Sequence, residues 1–388
     1  MSKRILIIPS WYPTLKRPLN GSFFQEQARF LRGNADLDIE VLYGEKKSTP
    51  LLRWIWIFVH SWLKSTWPIS KEKVKQEPTA YGFDFPANRR VPDALQIHLE
   101  QRIYWKAYQS LLRTGWKPNL IHAQSGMDAG IFANHISNRA NIPFVLIEHQ
   151  VVIFHHYSRK RANLVLRSYR NAQSLGAVSY VHKRQIIMHE PKCNPLVIPN
   201  LVDETKFMLS DRSLFSSFQI LAIMYFHNIK GFRTFFEALK NLKEKGIDFK
   251  FTVVGKGGHF FRQEIHNLGL SSHGQLIEEL ERNEIAEIFA KSHVYVCSSD
   301  FETFGIAPRE AMMCGLPVVS TANGGVEDSI TPEIGLIVPI RDSQAMSEAI
   351  LRVMKNYSKF SQKAIRELAI SQCGRKTFLT RMTKFYVQ

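Results

Sequence analysis

The chain has 388 residues, 45% hydrophobic and 22% charged, and Lys plus Arg outnumber Asp plus Glu 51 to 34 for a formal charge of +17. Such a length suggests about two domains able to bury real cores, and the composition excludes fibrous and disordered classes. The basic excess favours polyanionic partners: nucleic acid, anionic lipid or phosphorylated small molecules.

Cys193, Cys297, Cys314 and Cys373 are scattered and form no C-x-x-C pair. That argues against a zinc site or a disulfide framework and makes a reducing cytosol the expected location. The opening "MSKRILIIPSWYP" lacks the long apolar stretch and small-residue cleavage site of a signal peptide. The densest apolar run, Leu51 to Leu63, is well short of the ~20 residues that span a bilayer. A soluble or surface-bound protein is expected.

In chain order, "RILIIPS" reads as a buried strand and "SFFQEQARFLR" as a helix. Ser22 is its expected N-cap, Gln25 completes a capping box, and Phe24, Ala28 and Leu31 share one face. After the strand "DIEVLYG" comes "LLRWIWIFVHSWLKSTW", where Trp54, Trp56, Trp62 and Trp67 accompany Arg53 and Lys64, with "KEKVK" from Lys71 following. Interfacial tryptophans beside cations suit an anionic membrane surface across residues 51–75, whereas a run apolar on all sides suits a buried helix; both readings stay open. "LIHAQ", "FVLIEH" and "SLGAVS" are further strands.

The pattern pauses at "PLVIPNLVDETKF", 195 to 207, and then restarts. "FQILAIMYF" is a strand, "GFRTFFEALKNLKEKG" a helix stopped by Gly246, and "FKFTVVGKGG" a strand entering a glycine turn. "EIAEIFAKS", "HVYVCSS", "APREAMMCG", "LPVVST" and "GLIVP" continue the alternation. Strands alternating with helices predict two doubly wound parallel-sheet α/β domains, residues 1–200 and 201–388.

The stretch "FETFGIAPREAMMCG" carries the chemistry. It leaves a strand at the carboxyl edge of its sheet, where open α/β folds bind ligands. Gly305 permits close backbone approach, and Pro308 suits the first helical position. Ala307 is then a poor N-cap, so the helix start keeps N–H donors for an anion such as a diphosphate. Glu302 on the loop and Glu310 in the first turn flank the same crevice, where carboxylates would accept from sugar hydroxyls. Spacing alone leaves other readings open: Glu310 complementing the helix dipole with Glu302 in solvent, or a glycosidase carboxylate pair.

This stretch resembles the signature of the retaining glycosyltransferases of family four, in which seven residues separate two glutamates. "PSWYPTLKRPLNGSFFQEQA", "VIPNLVDETKF", "KGFRTFFEAL" and "VVGKGG" are similar to four further family motifs in the same order. The resemblance implies a GT-B fold, with a nucleotide-sugar donor, UDP- or GDP-linked, held mainly by the C-terminal domain and the acceptor by the N-terminal one. It implies that Glu310 holds the ribose, that Glu302 contacts the donor sugar, and that the N–H groups of Phe304, Gly305 and Ile306 meet the diphosphate. Lys230 would neutralise the leaving phosphate without a metal, and no cofactor is expected. Leu280 would lie against the base, His149 beside the reacting sugar, and Gly21 would let the first loop close on the phosphates. The last helix would return to the N-terminal domain. One departure stands out: the family's usual Gly-Arg before the Lys-Gly pair is replaced by Met224 and Tyr225.

The expected function is therefore transfer of a hexose-type sugar to a glycan or lipid-linked acceptor in bacterial surface polysaccharide synthesis, in the cytoplasm or at the inner membrane face. The alternatives are a degenerate glycan-binding subunit of the same fold and a sugar-nucleotide epimerase. No nucleic-acid motif accompanies the basic charge, and nucleic acid is not an expected partner.

Overall fold

Short runs rich in Ile, Leu, Val and Phe form strands buried on both faces, as parallel strands covered by helices must be. The computed structural model describes residues 3–387 apart from 15, 19, 35, 73–77, 152, 213–215, 279 and 281. The chain divides into two units, Met1–Ile198 with Leu379–Gln388, and Pro199–Phe378.

The first unit contains β1 (Lys3–Pro9), β2 (Leu37–Ser48), β3 (Ser70–Glu72), β4 (Thr79–Ala87), β5 (Leu120–Gln124), β6 (Phe144–Glu148), β7 (Ser174–Ala177) and β8 (Leu196–Val197). They form one sheet in the order β3-β4-β2-β1-β5-β6-β7-β8. Its pairings are parallel except that of β3 with β4. The exception departs from the all-parallel expectation because the link between these strands is too short for a crossover, which needs about a dozen residues. In β1, Ile5, Leu6, Ile7 and Ile8 are all fully buried.

The second unit contains β9 (Phe218–Ile223), β10 (Phe249–Val254), β11 (Gly274–Ile277), β12 (Val294–Cys297), β13 (Val318–Thr321) and β14 (Gly335–Val338). Their order is β11-β10-β9-β12-β13-β14, parallel throughout. Helix Phe232–Glu244 buries Phe232, Phe235, Phe236, Leu239 and Leu242 in the core of this unit. Each such burial is worth about 1.5–3 kcal/mol. One helix face thus supplies a gross term comparable to the net stability of a typical domain, roughly 5–15 kcal/mol, before chain entropy is subtracted.

Two helices differ from expectation. Helix Ser22–Asn34 includes Ser22, so Ser22 and Gln25 do not form its capping box. Gly21, at φ 75°, takes the cap position, and its carbonyl accepts from Phe24 N at 2.9 Å. Phe24, Ala28 and Leu31 are buried as the periodicity predicts. Helix Leu51–Leu63 is not buried on all sides: only Trp54 and Ser61 are buried. Leu52 is 83% exposed, Trp56 56%, Trp62 62% and Leu63 79%, so one face carries bare apolar side chains. Residues 73–75 of the following "KEKVK" lie outside the described residues. Among the described residues no helix is long and apolar enough to cross a membrane.

The last helix, Arg375–Val387, delivers Phe385 and Tyr386 to the first unit's core. The Tyr386 hydroxyl lies 2.9 Å from His122 Nδ1 on β5, and Lys3 donates to the Tyr386 carbonyl. Burial pushes the His122 imidazole down to about 3, so it is neutral and able to accept from the phenol.

Helix Leu51–Leu63 allows a direct check. Trp54 is 3% exposed and donates through Nε1 to Gln96 Oε1 at 2.9 Å. Trp54→Ala should cost about 3–5 kcal/mol in chemical denaturation, whereas Trp56→Ala should stay within about 0.5 kcal/mol. Equal losses would overturn the orientation of the helix.

Candidate active site

In the second unit the strand order reverses between β9 and β12. Loops leaving adjacent strands at such a point diverge and open a crevice at the carboxyl edge of the sheet. Lys230 lies on the loop after β9 and Glu302 on the loop after β12, 72 positions apart in sequence. The fold brings Lys230 Nζ to 2.6 Å from Glu302 Oε1, each side chain only 19% exposed. Burial pushes the Lys230 amine down, but the charge and hydrogen bond of Glu302 outweigh it and hold the amine above its ordinary value. It remains a cation.

The two loops are tied by more than the ion pair. Ser299 Oγ donates to Glu302 Oε1 at 2.8 Å, and Ser298 Oγ donates to the Lys230 carbonyl at 2.9 Å. Asp300 N donates to the Ile229 carbonyl and Glu302 N to the Asn323 carbonyl, both at 2.8 Å. Gly231, at φ 61°, closes the joint: a Cβ there would sit 1.9 Å from the Ser298 carbonyl oxygen. The glycine of the Lys-Gly pair is therefore required by packing as well as by backbone conformation.

The helix beside this pair is Ile306–Met313, with Gly305 at its N-cap in the left-handed region, φ 70° and ψ 70°. This corrects the expected start at Pro308. Proline is tolerated throughout the first turn, where N–H groups have no intrahelical acceptor, so it does not mark the first position. Ala307 is accordingly the second helical residue rather than the cap. Glu310 falls in the second turn rather than the first and is 6% exposed. The N–H groups of Phe304, Gly305 and Ile306 make no hydrogen bond to the described residues, leaving donors at a positive helix end.

Arg309 braces this turn. Its guanidinium donates to the carbonyls of Phe304 and Gly325, the latter at 2.9 Å, and to Ser329 Oγ at 2.6 Å. Burial lowers it to about 10, and it lies over the Phe304 ring at 3.9 Å. Ser298, Ser299 and Arg309 were not anticipated. A lone arginine in a helix reads as a surface residue, and only its neighbours in space make it a brace.

Tyr225, 49% exposed, has its ring 5.3 Å from Lys230 Nζ, while Met224 is buried. Leu280 follows β11, so β10 separates its strand from the order reversal. It is half-buried, and its neighbours 279 and 281 are outside the described residues.

The first unit gathers the two remaining candidates. Its order reverses between β1 and β5. The loop after β1 carries Trp11, against which a Cβ at Gly21 would press, 2.7 Å from the Trp11 carbonyl oxygen. His149, just beyond β6, packs edge-on against Phe24 with centroids 4.8 Å apart and lies 5.8 Å from Phe23. Its position is set by the unanticipated Glu148. That buried carboxylate accepts from Gly126 N at 2.7 Å, His149 N and Gln150 N at 2.9 Å, and the Tyr169 hydroxyl at 2.6 Å.

Residues 216–369 match the family described as Glycosyl transferases group 1. The chain is 26% identical over 370 residues to the putative teichuronic acid biosynthesis glycosyltransferase TuaC of Bacillus subtilis, covering 90% of this chain and 88% of that protein. It is 25% identical over 240 residues to the amylovoran biosynthesis glycosyltransferase AmsK of Erwinia amylovora, covering 57% of this chain but only 59% of AmsK. Among solved structures, a sucrose-phosphate synthase from Thermosynechococcus elongatus superposes with a TM-score of 0.75 at 16% identity, covering 100% of this chain and 98% of that one. HepE of Anabaena, solved with UDP and glucose, gives 0.73 at 16% identity with both chains covered in full. The fold is GT-B. The second unit contains the whole of the family match, and the relatives support glycosyl transfer as the class of activity.

Proposed function

We propose that the chain is a retaining glycosyltransferase that moves a hexose-type sugar from a nucleotide-sugar to a glycan or lipid-linked acceptor in surface polysaccharide synthesis. The observation that carries the reading is the Lys230–Glu302 pair, set 2.6 Å apart where the strand order reverses and beside a helix start with free N–H donors. A cation and convergent N–H groups suit a departing diphosphate, and a carboxylate suits sugar hydroxyls. The UDP and glucose complex of HepE supports a nucleotide-sugar donor.

In this reading the bond between the anomeric carbon and the diphosphate oxygen breaks and its electron pair leaves with the nucleotide, while the acceptor hydroxyl oxygen bonds to that carbon from the same face and its proton passes to the departing phosphate oxygen. Lys230 and the N–H groups of Phe304, Gly305 and Ile306 stabilise the charge, so the step is read as metal-independent. Glu302 orients the transferred sugar and holds Lys230 in place, while Glu310 accepts from the ribose hydroxyls. His149 and Gly21 act from the first unit, on the sugar and on closure of the first loop, and Leu280 lies against the base.

Glu310→Ala should weaken donor binding roughly 10- to 150-fold, since a charge-assisted hydrogen bond is worth about 1.5–3 kcal/mol. Calorimetry on the folded variant checks this, and unchanged affinity would remove Glu310 from the site. Tyr225 replaces an arginine with a neutral hydroxyl, so the phosphate charge falls on Lys230 and the helix start. Lys230→Ala should nearly abolish turnover, while Tyr225→Phe should cost no more than about tenfold. Comparable losses would mean that the phosphate is held differently.

We also read helix Leu51–Leu63 as resting on the anionic cytosolic membrane face. Its exposed Leu52, Trp56 and Trp62 face outward, the last stacked on Arg102, beside Arg53 and Lys64 on a chain of charge +17. Flotation with phosphatidylglycerol vesicles should show binding that Trp56→Ala/Trp62→Ala reduces. Binding equal to that on neutral vesicles would refute the electrostatic part.

A further inference from the structure

We propose that a cavity in the first unit binds the phosphorylated sugar head of a lipid-anchored acceptor, an assignment that rests on the transfer reading for the word acceptor. The cavity encloses 680 Å³ between helix Leu51–Leu63 and the carboxyl ends of β2 and β4. That volume falls within the range of about 300–1,000 Å³ usual for small-molecule sites. β2 adjoins β1 on the side away from β5, so the cavity lies beside the first unit's order reversal and not in it. It is suited to the part of an acceptor remote from the reacting hydroxyl.

Its lining specifies the chemistry. Lys16, Lys47 and Arg53 supply cations, Glu45 and Asp84 supply carboxylates, and Trp67 supplies a flat apolar face. Lys47 is already committed: it bonds Glu45 and stands 3.4 Å from Asp84 Oδ1. Lys16 and Arg53 form no ion pair with the described residues, so two cations at the cavity remain to meet an anion. Asp84 is held from the other side, where Trp67 Nε1 donates to its carbonyl at 3.0 Å, which also fixes the indole. Unpaired cations match a phosphate, carboxylates match sugar hydroxyls, and an indole face matches the C–H face of a pyranose.

The lipid anchor follows from the helix that forms one wall. Arg53 and Ile57 face the cavity, while Leu52, Trp56, Val59 and Trp62 of the same helix are exposed. A ligand whose head fills the cavity can therefore leave its tail at the surface on which those side chains rest. A soluble glycan makes no use of an apolar face so close to its binding groups.

The test uses the full chain and two probes, glucose 1-phosphate in solution and polyprenyl-phosphate glucose in phosphatidylcholine vesicles, without donor. Wild type should bind both, the vesicle-borne head more tightly, and glucose itself weakly or not at all. Lys16→Glu/Arg53→Glu, at two exposed positions, should weaken both by about tenfold or more, the scale of lost charge-assisted contacts. Trp56→Ala/Trp62→Ala should weaken vesicle binding alone. Glucose bound as well as its phosphate, or no effect of the Lys16 and Arg53 changes, would overturn the phosphate site. Equal affinity for both probes would overturn the anchor. Loss of head binding with donor affinity intact would refute this site alone, whereas head binding without any turnover would count against the transfer reading.

Discussion

A parallel sheet must return its chain from one edge to the other by crossovers, and wherever the strand order reverses two loops leave neighbouring strands in opposite directions. In the second unit that geometry lies between β9 and β12, and the described chemistry of the unit collects there. Lys230 and Glu302 meet because their strands are neighbours, and each loop is too short to wander. The remaining contacts, from Ser298, Ser299, Asn323 and the Gly231 turn, keep the two loops in register.

Holding charges in such a place is expensive unless each has a partner. A buried ion pair contributes little net stability, yet removing one member leaves the other uncompensated, which costs several kcal/mol. Glu302 and Lys230 answer each other in this way, and Arg309 is surrounded by carbonyl and hydroxyl acceptors. The site is thus held firmly on its protein side, and among its unused donors are the N–H groups at the helix start. Donors fixed in advance need no reorganisation when a charge develops, which is what electrostatic stabilisation of a leaving group demands.

Much of this was legible in the sequence, for physical reasons that differ by element. β5, β9 and β12 announce themselves as apolar runs bounded by turn residues, and helix Phe232–Glu244 by its periodic phenylalanines. β4, "TAYGFDFPA", escaped because Gly82, Asp84 and Pro86 interrupt its apolar residues, and β3 is too short to show a period. The start at Gly305 was misread because proline marks a first turn without marking its first residue. Helix Leu51–Leu63 could not be oriented, since a helix apolar all round has no face that periodicity can pick out. Arg309 and Glu148 were invisible as anything but charged residues, because their roles are defined by carbonyls and N–H groups that only folding gathers.

The return of residues 379–387 to the first unit has a consequence for biosynthesis. Tyr386 caps His122 on a central strand, and its carbonyl accepts from Lys3, so residues made far apart in time are neighbours. The amino-terminal sheet cannot complete its core while the rest of the chain is still being made. During translation it waits, with part of its apolar surface uncovered, for a segment that emerges only after the other unit. Folding of this chain is therefore not strictly vectorial, and the nascent first unit is the stage at which a chaperone would have the most to protect.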